Sequence, residues 1–459
     1  MNQPSGRSYI YMPIVFALLL IVGMYIGQSL DFNTNYADSD GAEITAEDAY
    51  KKIGQVLKYV NTEYVDSINN DELTEKTVND LLQNLDPHST YISAKELKEV
   101  NEGLEGNFQG VGIEYNIFDD TIRVVTVIAG GPAADVGIMA GDKIIKVDGE
   151  NVAGVKIKSK DVTKRLRGDG GTKVRVLIMR NNQKQLTEYA ITRGEIPLYS
   201  VDISYMLDAK TGYIKLSRFA ETSYEEFMQA TAKLKRVGMQ QLIFDLRGNG
   251  GGLLDIAVQI ADEFLENEKL IVYTKGKSTA TKNYNATKKG QYENLPLVIL
   301  IDENSASASE ILAGCLQDND RATIVGRRSF GKGLVQHQLD LPDGSAIRLT
   351  IARYYTPTGR CIQKPYDKGT EEYYKDEEDR YESGELLNKD SIHFADSLKF
   401  KTPKGKVVYG GGGIMPDVFV PLDTMGRSKY LNEIYYNGII TDFCFEYADK
   451  HRAELMAAT

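Results

Sequence analysis

The first apolar feature along the chain is an uncharged run of 18 residues, Tyr9 to Ile26 (YIYMPIVFALLLIVGMYI). As a helix it would reach roughly 27 Å, close to the thickness of a bilayer core. Arg7 before it and Asp31 after it orient the N-terminus to the cytoplasm and everything beyond residue 30 to the far side. Residues 1–30 are therefore expected to be a single-pass signal-anchor. The alternative is a cleaved secretory signal, although the following GQSLDF lacks a small-residue cleavage pattern. After a polar tether, Thr45 and Asp48 open a helix whose apolar positions Ile53, Val56, Leu57, Val60 and Tyr64 recur at helical spacing. A second helix carries Leu73, Val78, Leu81, Leu82 and Leu85 and stops at Asp86-Pro87. Residues 31–95 thus read as a tether and helical segment, a candidate for packing or for self-association into a homo-oligomer. From about residue 106 the period changes to two, with Val111, Ile113, Tyr115, then Ile122, Val124, then Val174, Val176, Ile178, around one short helix, Ser159 to Leu166. From about 194 strands alternate with helices, including the buried strand LIFDL (Leu242 to Leu246), a strand Leu297 to Ile301, a helix from about Ser307 and a strand Ala322 to Val325. That alternation predicts an α/β core over 194–459 following a β-rich domain at 96–193. The stretch 365–401 is rich in Asp, Glu, Lys and Tyr and is expected to be a solvated insertion.

Composition narrows the function classes. With 42% apolar and 26% charged residues the chain has the balance of an ordinary folded protein, and a formal charge of -11 argues against nucleic acid as a partner. Cys315, Cys361 and Cys444 lie far apart, no HExxH occurs, and the four histidines (His88, His337, His393, His451) are scattered. No metal site and no cofactor is implied.

Three short segments carry candidate chemistry. In DENSASASEIL (Asp302 to Leu312) a serine follows a buried strand and opens a helix, a turn that presents a hydroxyl at the end of a sheet. In GRRSFGKGLVQ (Gly326 to Gln336) Lys332 stands between two glycines, and Gln336, four residues on, shares its face if the segment is a strand. Lys332 works as a base only when neutral, so its proton must be driven off by burial or a nearby positive charge. The same segment approaches a phosphate-binding loop, but Gly333 stands where a Ser or Thr would ligate magnesium and LVQHQL alternates like a strand. In DLRGNGGGLL (Asp245 to Leu254) glycines expose backbone N–H groups after a buried strand, a turn suited to an anion or oxyanion. Taken singly, each segment also has a plain reading, as a helix cap, a surface lysine or a tight turn.

Together, DPHSTY (Asp86 to Tyr91), FQGVGIE (Phe108 to Glu114), GPAADVGIMAGDKIIKVDG (Gly131 to Gly149), DLRGNGGGLL, SASASEI, GKGLVQ and GGGIMPD (Gly411 to Asp417) resemble, in this order, the motifs of the C-terminal processing peptidases. The resemblance spans about residues 45 to 425. It implies a crotonase-like peptidase core with an inserted PDZ-like domain at 96–193. It also implies a nucleophile at Ser307, a base at Lys332 assisted by Gln336, and an oxyanion hole from the N–H of Ala308 and that of Gly251 or Gly252. The glycine turn departs from the family's usual DLRNNPGG, with Gly248 and Gly250 in place of Asn and Pro, which makes a more flexible loop. Asp318 matches an acidic position associated with activity in some members. In the PDZ-like domain, Phe108, Gly110, Val111 and Gly112 would hold a terminal carboxylate and a strand of peptide, with Val162 and Leu166 forming the apolar pocket for its last side chain.

The expected protein is a serine endopeptidase of the inner membrane with its body in the periplasm, acting on exported proteins or peptides recognised by their free C-terminal tails. The alternatives are a peptide-binding PDZ scaffold or chaperone with an inactive core, a Ser/His/Asp hydrolase using His88 or His337, and an acyl-thioester enzyme of the crotonase type.

Overall fold

The computed structural model describes Ala17, Ile21 and Val22 and residues 45–180, 185–426 and 428–457. The apolar run at 9–26 lies almost wholly outside the described residues, among which no helix is long and apolar enough to cross a membrane. The chain divides into a unit ending at Asn70 and a second unit running from Asp71 onward. In the first, the helix Ala46–Glu63 is capped by Thr45, whose side chain accepts from Asp48 N.

The second unit holds the chemistry. Its central sheet contains, side by side, Val201–Met206, Thr211–Leu216, Gln241–Asp245, Leu297–Ile301, Thr323–Gly326 and Val418–Phe419. All pairs are parallel except the first. Alternate residues of the inner strands face one core: the helices Ser223–Arg236, Leu254–Asp262 and Ala308–Asp318 pack there with Phe227, Phe244, Ile260, Ile299 and Leu312, while Ile243, Val298 and Leu300 on the other face are half-buried. An antiparallel second sheet is built on the long strand Ala346–Tyr355, which pairs with Leu334–Asp340 on one side and with Thr90–Ile92 and Leu270–Lys275 on the other. The short strand Thr90–Ile92 brings the Asp86–Ser89 segment to this sheet, a placement that no local periodicity announces.

The β-rich domain is an antiparallel sheet in the order Ile113–Phe118, Thr121–Val127, Lys143–Val147, Lys173–Met179, Thr187–Thr192. The helix Ser159–Leu166 closes its core. Ile113–Phe118 is an edge strand.

The charged stretch 365–401 corrects the expectation of a solvated insertion. Its helix Thr370–Glu382 buries Tyr373 and Arg380, and Arg380 donates to the carbonyls of Ser329 (2.9 Å) and Phe330 (3.3 Å) in the loop leading to Lys332. Lys364, just before the stretch, pairs with Asp376 at 2.9 Å. One face of the helix is charged and exposed, and the other braces the site. The helices Lys429–Tyr436 and Ile439–Ala457 follow the last strand; Phe445 meets Phe118 of the β-rich domain edge-on at 5.6 Å between ring centres.

Candidate active site

The strand Leu297–Ile301 runs into a turn whose three serines have different tasks. Ser305 Oγ donates to Leu246 O (2.8 Å) and Ser309 Oγ to Asn249 O (2.9 Å), both fully buried, so the outer serines stitch this turn to the glycine turn of the neighbouring strand. Ser307 is only half-buried and lines a cavity of about 330 Å³. Its backbone sits at φ 56°, ψ -114°, a conformation that costs a non-glycine residue roughly 1–3 kcal/mol and that persists only where neighbours impose it. Those neighbours are Glu310 N and Ile311 N, which donate to Ser307 O, and Glu310 Oε2, which accepts from Ser307 N at 2.9 Å.

Glu310 is the residue that the sequence reading overlooked. Fully buried, it accepts from four donors: Ser329 Oγ (2.6 Å) and Gly331 N (2.7 Å) on one oxygen, Ser307 N (2.9 Å) and Lys332 N (2.9 Å) on the other. One carboxyl group therefore sets the backbone of the serine against that of the lysine. Burial pushes this carboxyl up to about 7 against the pull of the donors. The Ser-x-x-Glu spacing of a capping box was the available signal, since it marks a carboxylate reaching back to the helix start.

Lys332 is held at its carbonyl by Tyr354 Oη, 2.7 Å away and also 3.2 Å from Ser307 O. Its flanking glycines are required. Gly331 has φ +94°, and a Cβ on Gly333 would fall 2.8 Å from Gln363 N. Lys332 Nζ donates to Gln336 Oε1 at 2.9 Å, and Gln336 Nε2 donates to the carbonyl of His88. Next to Gln336 the opposing strand carries an extra residue, Ile351, a bulge that re-aims the side chain. His88 is in turn fixed by its N–H to Asp86 Oδ1 at 2.8 Å. Burial, then the charge of Arg348, lowers the lysine's proton affinity; Asp86 and Glu310 pull the other way.

The histidine alternative does not survive the geometry. The His88 ring contacts Tyr373 Oη at 2.9 Å, and burial followed by the Lys332 charge holds it down to about 4. His337 is exposed, on the strand face opposite Gln336. The phosphate-loop context fails as well, because Gly333 is followed by the strand Leu334–Asp340.

At the glycine turn, Gly251 N donates to Asn249 Oδ1 (2.9 Å), whereas the N–H groups of Gly252 and Ala308 have no hydrogen-bond partner among the described residues. A Cβ on Gly251 would fall 2.7 Å from Ser307 Cβ and 2.9 Å from Ala308 N, so the turn closes directly over the serine. Gly252 lines the cavity with Ser307, Lys332 and Gln336.

The remaining predicted residues lie elsewhere. Asp318, at the far end of the Ser307 helix and so about 16 Å away, forms a fully buried pair with Arg360 (2.7 Å) and accepts from Thr358. It shapes the turn after the long strand and stands outside the cavity. In the β-rich domain, Asn107–Gly110 pairs with Gly194–Pro197, and Leu198 N donates to Gly106 O. By the antiparallel alternation this occupies the amides of Phe108 and Gly110. Val111 and Gly112 keep amides with no partner among the described residues. Val162 and Leu166 are packed into the domain core. Tyr115, on the edge strand, bonds across to Thr163 and Ser159 of the helix.

Known proteins resemble this chain in both its core and its β-rich domain. The pattern of Peptidase family S41 matches residues 210–372, and that of a PDZ domain matches residues 123–180. The carboxy-terminal-processing protease of Bartonella bacilliformis is 35% identical over 354 residues, covering 75% of this chain and 80% of that protein. The carboxy-terminal processing protease CtpA of Bacillus subtilis is 32% identical, covering 70% and 68%. Among solved structures, the photosystem II D1 C-terminal processing protease aligns over 81% of this chain and 87% of its own, at 27% identity and a TM-score of 0.42. The class is thus a serine-type protease that carries a PDZ domain. The chain belongs to peptidase family S41, with the carboxy-terminal-processing proteases.

Proposed function

We propose that this protein cleaves exported proteins or peptides selected by their free C-terminal tails, with Ser307 as nucleophile and Lys332 as general base. Neutral Lys332 Nζ takes the proton of Ser307 Oγ as the oxygen attacks the scissile carbonyl. The tetrahedral oxyanion is met by the N–H groups of Ala308 and Gly252. Lys332 then protonates the departing amine, leaving an acyl group on Ser307 Oγ, and next deprotonates the water that releases it. Gln336 keeps the lysine side chain aimed. The observation carrying this reading is the half-buried Ser307 in a strained backbone, sharing one cavity with a part-buried lysine and tied to it through Glu310. The core is read as crotonase-type, supported by its parallel sheet with helices alternating along the chain.

The tail is read at the edge strand Ile113–Phe118, where a peptide adds as a further strand with its carboxylate at the free amides of Val111 and Gly112. The names of the relatives, which describe carboxy-terminal processing, favour this over a scaffold role. Ser307→Ala and Lys332→Ala should each abolish cleavage of a free-acid peptide while thermal unfolding stays as in the wild type; turnover in either variant ends the Ser/Lys mechanism. The apolar run Tyr9 to Ile26 is assigned as an inner-membrane anchor, with the body in the periplasm. Full-length protein should sediment with membranes. Recovery in the soluble fraction with a new N-terminus beyond residue 26 would make the run a cleaved signal instead.

A further inference from the structure

The cavity around Ser307 contains a cation that the proposed mechanism does not use. Arg348 lines it, on the strand Ala346–Tyr355, directly opposite Gln338 in the pairing with Leu334–Asp340. In the same register Gln336 faces Thr350. Arg348 is therefore two residues, about 7 Å, along the ribbon from the glutamine that holds Lys332. Its guanidinium is half-buried, and its nearest acceptor is Gln338 Oε1 at a long 3.4 Å. Among the described residues no carboxylate lies within ion-pair distance of it.

Five other arginines of this domain are treated differently, and Arg321, which has no carboxylate among the described residues either, donates instead to the carbonyls of Phe264, Tyr292 and Leu295. Arg247, Arg327, Arg328, Arg360 and Arg380 each meet an Asp or Glu at 2.6 to 3.0 Å. Leaving one guanidinium partly desolvated and without a counter-charge, next to another cation, is unfavourable for the free protein, and such arrangements concentrate where a ligand supplies the missing charge. Arginine's planar fork suits a carboxylate in two-point contact.

We propose that Arg348 is a specificity-determining residue, receiving a carboxylate of the bound substrate inside the Ser307 cavity. The assignment rests on the peptidase reading of that cavity. An extended peptide advances about 3.3 Å per residue, so an Asp or Glu roughly two residues from the scissile bond falls within reach. The substrate's own terminal carboxylate is the second source of the same chemistry. Occupancy has an electrostatic consequence. Arg348 disfavours the proton on Lys332; once neutralised by a carboxylate it does so less, and the rising limb of kcat moves toward higher pH for the acidic substrate.

The test uses the full chain and peptides sharing one tail and one cleavage site, with Glu or Gln placed in turn at the three positions on each side of the bond, each ending as free acid or amide. kcat/KM is measured for wild type, Arg348→Gln and Arg348→Lys, and Kd by fluorescence anisotropy in the Ser307→Ala background with and without Arg348→Gln. At one position wild type should prefer Glu over Gln by about tenfold. The preference should vanish in Arg348→Gln and survive in part in Arg348→Lys. A preference that appears only between free acid and amide, and is lost in Arg348→Gln, assigns the site to the terminal carboxylate. Preference unchanged in Arg348→Gln overturns the proposal, as does a variant whose pH limb moves to higher pH with no change in any Glu/Gln or acid/amide ratio. If wild type cleaves none of the peptides, the peptidase reading fails, while the Kd ratios still decide whether Arg348 binds a carboxylate.

Discussion

Glu310 has more hydrogen bonds than any other side chain around the cavity and no exposure, and its consequences are local. Two of its donors belong to the candidate nucleophile and base, and two belong to the loop between them in space. Glu310→Gln keeps the shape but turns an amide N–H₂ toward two of those donors. Leaving them unsatisfied should cost about 2 to 4 kcal/mol of stability and lower kcat tenfold or more, with little change in KM. Because Glu310 supports the proton on Lys332, its loss should also shift the rising limb of the residual activity to lower pH. Chemical denaturation and a pH–rate profile check both parts; a variant with wild-type kcat and an unmoved limb would remove Glu310 from the site's machinery.

At the level of elements, two segments remote in sequence hold the lysine in place. The Asp86–Ser89 segment presents the His88 carbonyl to Gln336. The helix Thr370–Glu382 supplies Arg380 to the carbonyls of Ser329 and Phe330, while its Asp376 pairs with both Arg380 (3.0 Å) and Lys364. Arg380 is almost fully buried, so removing it leaves a cavity and deprives those carbonyls of their donor, while Asp376 keeps only Lys364. Arg380→Ala should therefore lose about 2–4 kcal/mol from the unsatisfied carbonyls and lost packing and most of the cleavage activity, although it lies outside every quoted motif. The expected readout is a lowered unfolding midpoint together with a fall in kcat. A stable variant with full turnover would mean the helix merely decorates the surface.

On the scale of the whole molecule, the PDZ domain precedes the peptidase core in one chain, and on the proposed reading a tail held at its edge strand would deliver the preceding residues to Ser307. Amidating the substrate's C-terminus removes charge-assisted hydrogen bonds to the Val111 and Gly112 amides worth about 1.5–3 kcal/mol, so KM should rise roughly tenfold or more. Equal cleavage of free-acid and amidated peptides would sink tail recognition and leave the Ser/Lys chemistry standing.

What the amino-acid sequence determined by itself was whatever depends on near neighbours. The alternation of apolar strands and helices from about residue 194 onward specified the α/β core, because such alternation builds a parallel sheet layered with helices. The strand-to-helix turn marked a serine cluster, and the resemblance to the C-terminal processing peptidases chose Ser307 within it. Lys332 and Gln336 could be paired because four residues along a strand return to one face. Tertiary structure alone decided the rest. Phe108 and Gly110 are tied up by a strand more than eighty residues later, and Gly251 spends its N–H on Asn249. Gln336 is aimed by a carbonyl 248 residues before it. Arg348 joins the cavity only through strand pairing. Contacts closed over such distances leave no period in the sequence, since each residue's hydrophobicity reports that it is buried and not which distant group it is buried against.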